Sequence, residues 1–138
     1  MCKKILSILL LVLIIGCSTP YQKAGFKGGY SEIKVNDKTW KVDFKGNGYT
    51  SARTVENFAL RRAAELTIEQ GYSHFVLSES SVDTKKGINY WSGKARFYTK
   101  PSANTYIILL SENEAKELTS TAKMVFDAKL FLSQFSEE

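Results

Sequence analysis

Residues 39–71 read TWKVDFKGNGYTSARTVENFALRRAAELTIEQG, and this stretch decides the fold. Thr39 to Lys45 alternates, with Trp40, Val42 and Phe44 on one side and Lys41, Asp43 and Lys45 on the other. That is the period of a strand with one wet face. Gly46-Asn47-Gly48-Tyr49-Thr50-Ser51 then breaks the strand. Two glycines around an asparagine permit positive φ at little cost, and Ser51 suits a helix N-cap. Beyond it Val55, Phe58, Ala59, Arg62, Ala63 and Leu66 recur at helical spacing in an Ala-rich run to about Gln70. Gly71 fits the residue just past the helix end.

Upstream, Tyr30 to Val35 also alternates, Ser31, Ile33 and Val35 against Tyr30, Glu32 and Lys34. Asn36-Asp37-Lys38 is a turn signal, so the two runs predict an antiparallel hairpin. Downstream, Tyr72 to Glu79 reads as a strand and the polar Ser80 to Asn89 as a loop. Tyr90 to Lys100 alternates again, with Trp91, Gly93, Ala95 and Phe97 against Ser92, Lys94, Arg96 and Tyr98. Pro101 to Asn104 is expected to turn the chain. Thr105 to Leu110 is almost continuously apolar, as in a central strand covered on both faces. Glu112 to Thr121 permits a poorly amphipathic helix. Asp127 can cap a short helix, Ala128 to Phe135, with Leu130, Phe131 and Phe135 inward. The order β-β-α-β-β-β-α predicts an α+β fold. It would be a two-layer sandwich, with one main helix packed on an antiparallel or mixed sheet of about five strands.

The chain has 138 residues, 43% apolar and 24% charged, with a formal net charge of +5. This suits one globular domain and argues against wholesale disorder or a polytopic membrane protein. The first residues are Met-Cys-Lys-Lys, followed by an apolar run from Ile5 to Ile15 broken only by Ser7. Eleven helical residues span roughly 16 Å, too short for a hydrocarbon core of about 30 Å. A short apolar run after two lysines is instead the pattern of a secretory signal peptide.

That run ends in Leu13-Ile14-Ile15-Gly16-Cys17, which resembles a bacterial lipobox. The resemblance implies that residues 1–16 form the signal, cleaved between Gly16 and Cys17. Cys17 would then carry a thioether-linked diacylglycerol and an N-acyl chain. The alternative is an ordinary signal peptide with a chance cysteine. Loss of the signal removes Cys2, Lys3 and Lys4, leaving 122 residues with a charge of +3. No thiol then remains for a disulfide, a metal or catalysis, and the case for a nucleic-acid partner weakens. Multiple acyl chains anchor stably where one does not. Ser18, rather than aspartate, after the cysteine favours the outer membrane over the inner by analogy with lipoprotein sorting. Residues 17–29 would then be the lipidated cysteine and the tether STPYQKAGFKGG (18–29), expected to reach at most roughly 40 Å. The single domain is expected over residues 30–138.

Few residues suggest chemistry. His74 lies in an expected strand, and its neighbour Ser73 should point to the opposite face. No catalytic residue is assigned. One histidine and no free thiol give no metal set, and Asp83, Glu112, Glu114 and Asp127 lack calcium-loop spacing. Gly46-x-Gly48 ahead of a helix is better read as a strand-to-helix turn than as a phosphate cradle. Arg61 and Glu65 form an i,i+4 pair. Arg62 falls near the apolar face, where it needs a carboxylate or carbonyl partner, covers the core edge by snorkelling, or clamps an anionic ligand. Tyr90, Lys94, Arg96, Tyr98 and Lys100 could form an aromatic–basic stripe suited to an anionic envelope polymer such as peptidoglycan or lipopolysaccharide. The plainer reading is the wet face of a sheet.

Gly29-Tyr30-Ser31-Glu32, Val42-x-Phe44-x-Gly46-Asn47-Gly48-Tyr49-Thr50-Ser51, Leu60-Arg61-Arg62-Ala63-Ala64-Glu65-Leu66-Thr67 and Gly71-Tyr72 together resemble a family of small Gram-negative lipoproteins of unknown function. The likeness covers roughly residues 17–80, with a fainter echo at Val125-Phe126-Asp127-Ala128. It implies an exported, lipid-anchored domain and supplies no activity. Three functional expectations follow. The first is a non-enzymatic binding or assembly module on the outer membrane, facing the periplasm, with Tyr49, Arg62, Lys94, Arg96 and Tyr98 as candidate ligand contacts. The partners would be the membrane and an envelope polymer or protein, with no cofactor beyond the lipid. The second is a small periplasmic enzyme with a site near Tyr49, Arg62 and His74. The third is a structural subunit that pairs through a sheet edge.

Overall fold

The computed structural model describes residues 17–121 and 124–135, so the signal-peptide reading and Gly16 lie outside the described residues. Among the described residues five strands and three helices follow in the order β1 (Gly29–Lys34), β2 (Thr39–Lys45), α1 (Ala52–Glu69), β3 (His74–Trp91), β4 (Lys94–Leu110), α2 (Glu112–Thr119), β5 (Val125–Asp127) and α3 (Ala128–Ser133). The strands form one sheet, β1-β2-β4-β3-β5, antiparallel throughout. The fold is α+β, with the main helix packed on an antiparallel sheet.

Local chemistry explains the first half. In the β1–β2 turn, the Asn36 side-chain oxygen accepts from the Lys38 and Thr39 amides at 3.0 and 2.8 Å, an Asx turn that sets the hairpin. Ser51 caps α1 by accepting from the Thr54 amide at 3.1 Å. At the other end Gly71 takes φ +82°. The Tyr72 amide donates to the Thr67 carbonyl and the Gly71 amide to that of Ile68, the paired bonds of a Schellman ending. Between these stops α1 buries Val55, Ala59, Arg62, Ala63, Ala64, Leu66 and Thr67.

The main core lies between α1 and the sheet. Val42, Phe75, Ile107 and Leu109 meet Ala63, Ala64, Leu66 and Ala128, flanked by Trp40, Leu77, Phe126 and Phe131. A second cluster of Phe44, Val55, Ala59 and Ala103 adjoins Tyr21, Tyr30 and Phe58. On the sheet's other face α2 covers Val76 and Leu110 with Ala115. Its start is fixed by a capping box between Ser111 and Glu114.

Several expectations need correction. Residues 80–89 are not a loop, and 101–104 is not a turn. β3 and β4 pair without interruption from Asp83↔Ser102 to Trp91↔Lys94, forming a two-stranded ribbon that extends past the end of β2. Pro101 is tolerated within β4 because its carbonyl accepts from Gly46 at 2.9 Å. Its missing N–H would face that same side, where β2 has ended. The segments 90–100 and 105–110 are therefore one strand, and the fifth strand is Val125–Asp127, giving β-β-α-β-β-α-β-α. Asp127 does cap α3, but Leu130 points to solvent at 65% exposure.

Residues 18–29 are not a free tether. Thr19 is buried, its amide donating to Thr50 Oγ1 at 2.9 Å and its hydroxyl to the Lys27 carbonyl at 2.9 Å. Tyr21 packs on Tyr30 and Phe58 and donates to Glu65. Gly28 and Gly29 both take positive φ, and a Cβ on Gly29 would lie 2.4 Å from the Gln22 carbonyl oxygen. Only glycine permits that approach.

Candidate functional site

The turn Gly46–Thr50 joins the N-terminal segment to the root of the ribbon. Asn47 Oδ1 accepts from the Tyr49 amide at 2.9 Å and from the Thr50 hydroxyl at 3.0 Å. The Asn47 amide donates to Thr19 Oγ1 at 2.8 Å, and its side-chain nitrogen donates to the Cys17 carbonyl at 3.0 Å. On the opposite side Gly48 lies against Thr99 and Tyr98. Cys17 itself is exposed. One short turn thus holds Cys17 and the ribbon root together.

A groove of about 720 Å³ opens here, lined by Gly48, Tyr49, Asn89, Tyr90, Trp91, Arg96, Phe97, Tyr98, Thr99 and Lys100. Tyr49, Tyr90, Trp91 and Phe97 are 76–81% exposed. Of the candidate ligand contacts, Tyr49, Arg96 and Tyr98 meet in this groove. Lys94 sits at the ribbon tip opposite Trp91.

The ribbon turns through Ser92 and Gly93, both at positive φ, as in a two-residue type I′ hairpin. Opposed residues share a face, so Lys85, Tyr98, Arg96, Lys94, Lys100 and Trp91 lie on one side. Lys86, Ile88, Phe97, Tyr90 and Ala95 lie on the other. Two expectations therefore change. Trp91 belongs to the cationic face rather than to that of Phe97, and Tyr90 leaves the stripe. Tyr98 lies over Gly87, where a Cβ would come within 2.3 Å of the ring, and Lys100 sits 5.2 Å from the Tyr98 ring centre.

Arg62 lies outside this groove. It is 8% exposed, with its guanidinium forked onto Glu69 at 2.9 and 3.0 Å and onto Glu32 at 2.8 and 3.3 Å. It also reaches Glu65 at 3.4 Å and lies 4.8 Å from the Tyr30 ring centre. Burial alone lowers its pKa, but the hydrogen bonds to Glu32 and Glu69 prevail and raise it. Its donors are engaged by glutamates, so it is not an open anion clamp. Tyr21 is pushed above the ordinary phenol range, first by burial and then by its bond to Glu65.

His74 lines a separate groove of about 870 Å³ with Ser73, Asp127, Glu112, Lys116 and Lys129. Ser73 Oγ and His74 Nδ1 are 2.7 Å apart. The expectation of opposite faces fails because Ser73 precedes the first residue of β3. His74 Nε2 is 3.7 Å from Asp127 Oδ2, beyond hydrogen-bond range, while Asp127 Oδ1 accepts from the Leu130 amide at 3.0 Å. The row lacks the bond between base and orienting group that nucleophilic catalysis uses. Tyr49, Arg62 and His74 do not converge.

Among the described residues no cluster of three His, Cys, Asp or Glu side chains is placed to hold a metal ion. Nor is any described helix long and apolar enough to cross a membrane. No family model, no curated protein and no solved structure matches the chain.

Proposed function

We propose that this chain is a lipid-anchored envelope lipoprotein, attached through Cys17 to the outer membrane and facing the periplasm. It acts there as a non-enzymatic module that binds an anionic envelope component. The observation that carries this reading is the aromatic and cationic groove beside Cys17. Trp91, Tyr49, Arg96, Tyr98 and Lys100 offer flat apolar surface and positive charge together, the pairing that suits an anionic, partly apolar ligand. Thr19 is buried two residues past Cys17, so a lipid there would hold the domain flush with the bilayer.

The test compares wild type with Cys17→Ala by palmitate labelling and membrane fractionation. A labelled wild type in the outer membrane and an unlabelled, unprocessed variant are expected. A wild type that is unlabelled and freely soluble would overturn the anchor. The structural-subunit reading keeps one observation of its own, the edge strand β1 with Ile33 exposed and Val35 exposed just beyond it. A stoichiometric co-purified partner, crosslinked through β1, would favour it.

A further inference from the structure

We infer that the β3–β4 ribbon is a second membrane contact, with an anionic lipid surface as the ligand of the groove. This rests on the anchored reading above and names its ligand. Three observations converge on it.

The first is place. Asn47 bonds the Cys17 carbonyl, and Gly46, its neighbour, bonds Pro101 at the ribbon root. A lipid on Cys17 therefore fixes the point from which the ribbon leaves the body. Seven residues of β3 beyond Thr84, the partner of Pro101, reach about 23 Å, long enough to extend along a headgroup layer.

The second is charge. Between Asp83 and Ser102 the ribbon carries Lys85, Lys86, Lys94, Arg96 and Lys100 against Asp83 alone. That excess is larger than the +3 of the whole chain from Cys17 onward. Among the described residues of the body, Lys34, Lys38, Lys41, Arg61, Arg62 and Lys116 are in ion pairs, while Lys23, Lys27, Lys45, Arg53 and Lys129 are scattered cations without one. Among the described residues none of the five ribbon cations makes an ion pair. An anionic leaflet attracts such cations, each contributing about a fivefold gain in binding near the surface.

The third is the kind of apolar residue exposed. Tyr90, Trp91 and Phe97 are 76–81% exposed at the far end of the ribbon. Tyr90 and Trp91, rings with a polar edge, partition at the headgroup boundary, and Phe97 adds apolar surface beside them. Phe97, Ile88 and Tyr90 share one face with Lys86, and Trp91 and Tyr98 share the other with Lys85, Lys94, Arg96 and Lys100, so each face sets rings beside cations. A headgroup layer takes both faces, the cations at the phosphates and the rings among the headgroups.

The experiment uses residues 17–138 with Cys17→Ser, which keeps every described contact and removes the lipid. Vesicles of phosphatidylcholine with about one third phosphatidylglycerol are compared with phosphatidylcholine alone by co-sedimentation and Trp emission. The expected result is binding to the anionic vesicles only, with a blue shift that Trp91→Ser abolishes. Lys94→Glu with Arg96→Glu should weaken binding by about tenfold or more, and 0.5 M salt should release the protein. Both variants alter exposed side chains, and an unchanged circular dichroism spectrum confirms their fold. No binding to anionic vesicles overturns the inference, as does equal binding to neutral vesicles, or binding to sacculi in place of vesicles. Palmitate labelling of the wild type reads the anchor separately. An unlabelled chain that still binds anionic vesicles removes the anchor and keeps the ribbon. A labelled chain whose Cys17→Ser form ignores vesicles does the reverse.

Discussion

Replacing Arg62 with alanine removes a cation shared by three glutamates. Arg62 is 8% exposed, whereas the Glu32, Glu65 and Glu69 side chains retain 21%, 25% and 52% of their accessible surface. Removing one partner of a fully buried pair costs about 3–5 kcal/mol. Here water reaches the carboxylates, most of all Glu69, and screening reduces the loss to about 2 kcal/mol. Helix propensity does not confound the change, since alanine and arginine both favour the helix. With a urea m-value of about 1.5 kcal/mol/M for a chain of this size, the midpoint should fall by about 1.3 M at unchanged m. Arg62→Lys keeps the charge but cannot fork onto two carboxylates at once, so it should recover only part of the loss. The assay is urea unfolding followed by circular dichroism, in a double-mutant cycle with Glu32→Gln. A loss below about 0.5 kcal/mol, with coupling to Glu32 near zero, would refute the reading of Arg62 as a structural hub. The anion-clamp reading would then have to be reopened.

Three further predictions test other parts of the structure. The hydrogen bond from Lys38, supported by the Ser111 amide and hydroxyl, lowers Glu114 to about 2. Its contribution is present above the ordinary carboxylate pKa of about 4.5 and disappears as pH falls through about 2. Glu114→Gln should therefore flatten the acid limb of stability over that window, as read by urea midpoints against pH. Thr19→Val deletes a hydroxyl that donates to Lys27 and accepts from Asn47, at a cost of about 1–3 kcal/mol. Limited trypsinolysis should then cut after Lys23 and Lys27 sooner than in wild type, and an unchanged cleavage rate would show that the segment does not depend on Thr19. Gly87→Ala places a methyl group on the Tyr98 ring. The ring is the far end of a flexible side chain, so stability should move by less than about 0.5 kcal/mol, while the Tyr98 ring proton shifts in NMR change strongly.

The parts legible in the sequence are those whose signals are local. Val42 and Phe44 show period two, Val55 to Leu66 shows the helical period, and Asn36, Ser51 and Gly71 stop or start elements through their own hydrogen bonds. The ribbon was not legible, for a physical reason. Its ladder is held by backbone bonds with both faces in water, so Asp83 to Asn89 has no apolar face to alternate and reads as a loop. Pro101 reads as a break because only the paired structure shows that its missing donor faces the side where β2 has ended. Val125–Asp127 is too short to show any period. The docked segment 18–29 is blind to composition because its burial rests on the polar anchors of Thr19 and on one ring, Tyr21. Among the candidate contacts, Tyr49, Arg96 and Tyr98 were legible as an aromatic and basic set. Trp91 was assigned to the wrong face because the turn at Ser92 and Gly93 sets odd residues of β3 beside even residues of β4.

The ribbon also poses an energetic question that the rest of the fold does not. A two-stranded hairpin with both faces in water is marginal by itself, and Ile88, Tyr90, Trp91 and Phe97 gain little from burial in the folded chain. The Tyr98–Gly87 contact and the I′ turn keep the strands in register, but neither requires exposed rings at the tip. Polar residues at those positions would preserve the same ladder and reduce the risk of aggregation. On the inference above, the rings gain their burial in a lipid headgroup layer, which takes rings and cations together along the ribbon. On that argument, hydrogen exchange in the ribbon amides should slow on anionic vesicles while the exchange of β2 and α1 stays unchanged. Uniform slowing across the sheet would point instead to a general stabilisation that has nothing to do with the ribbon.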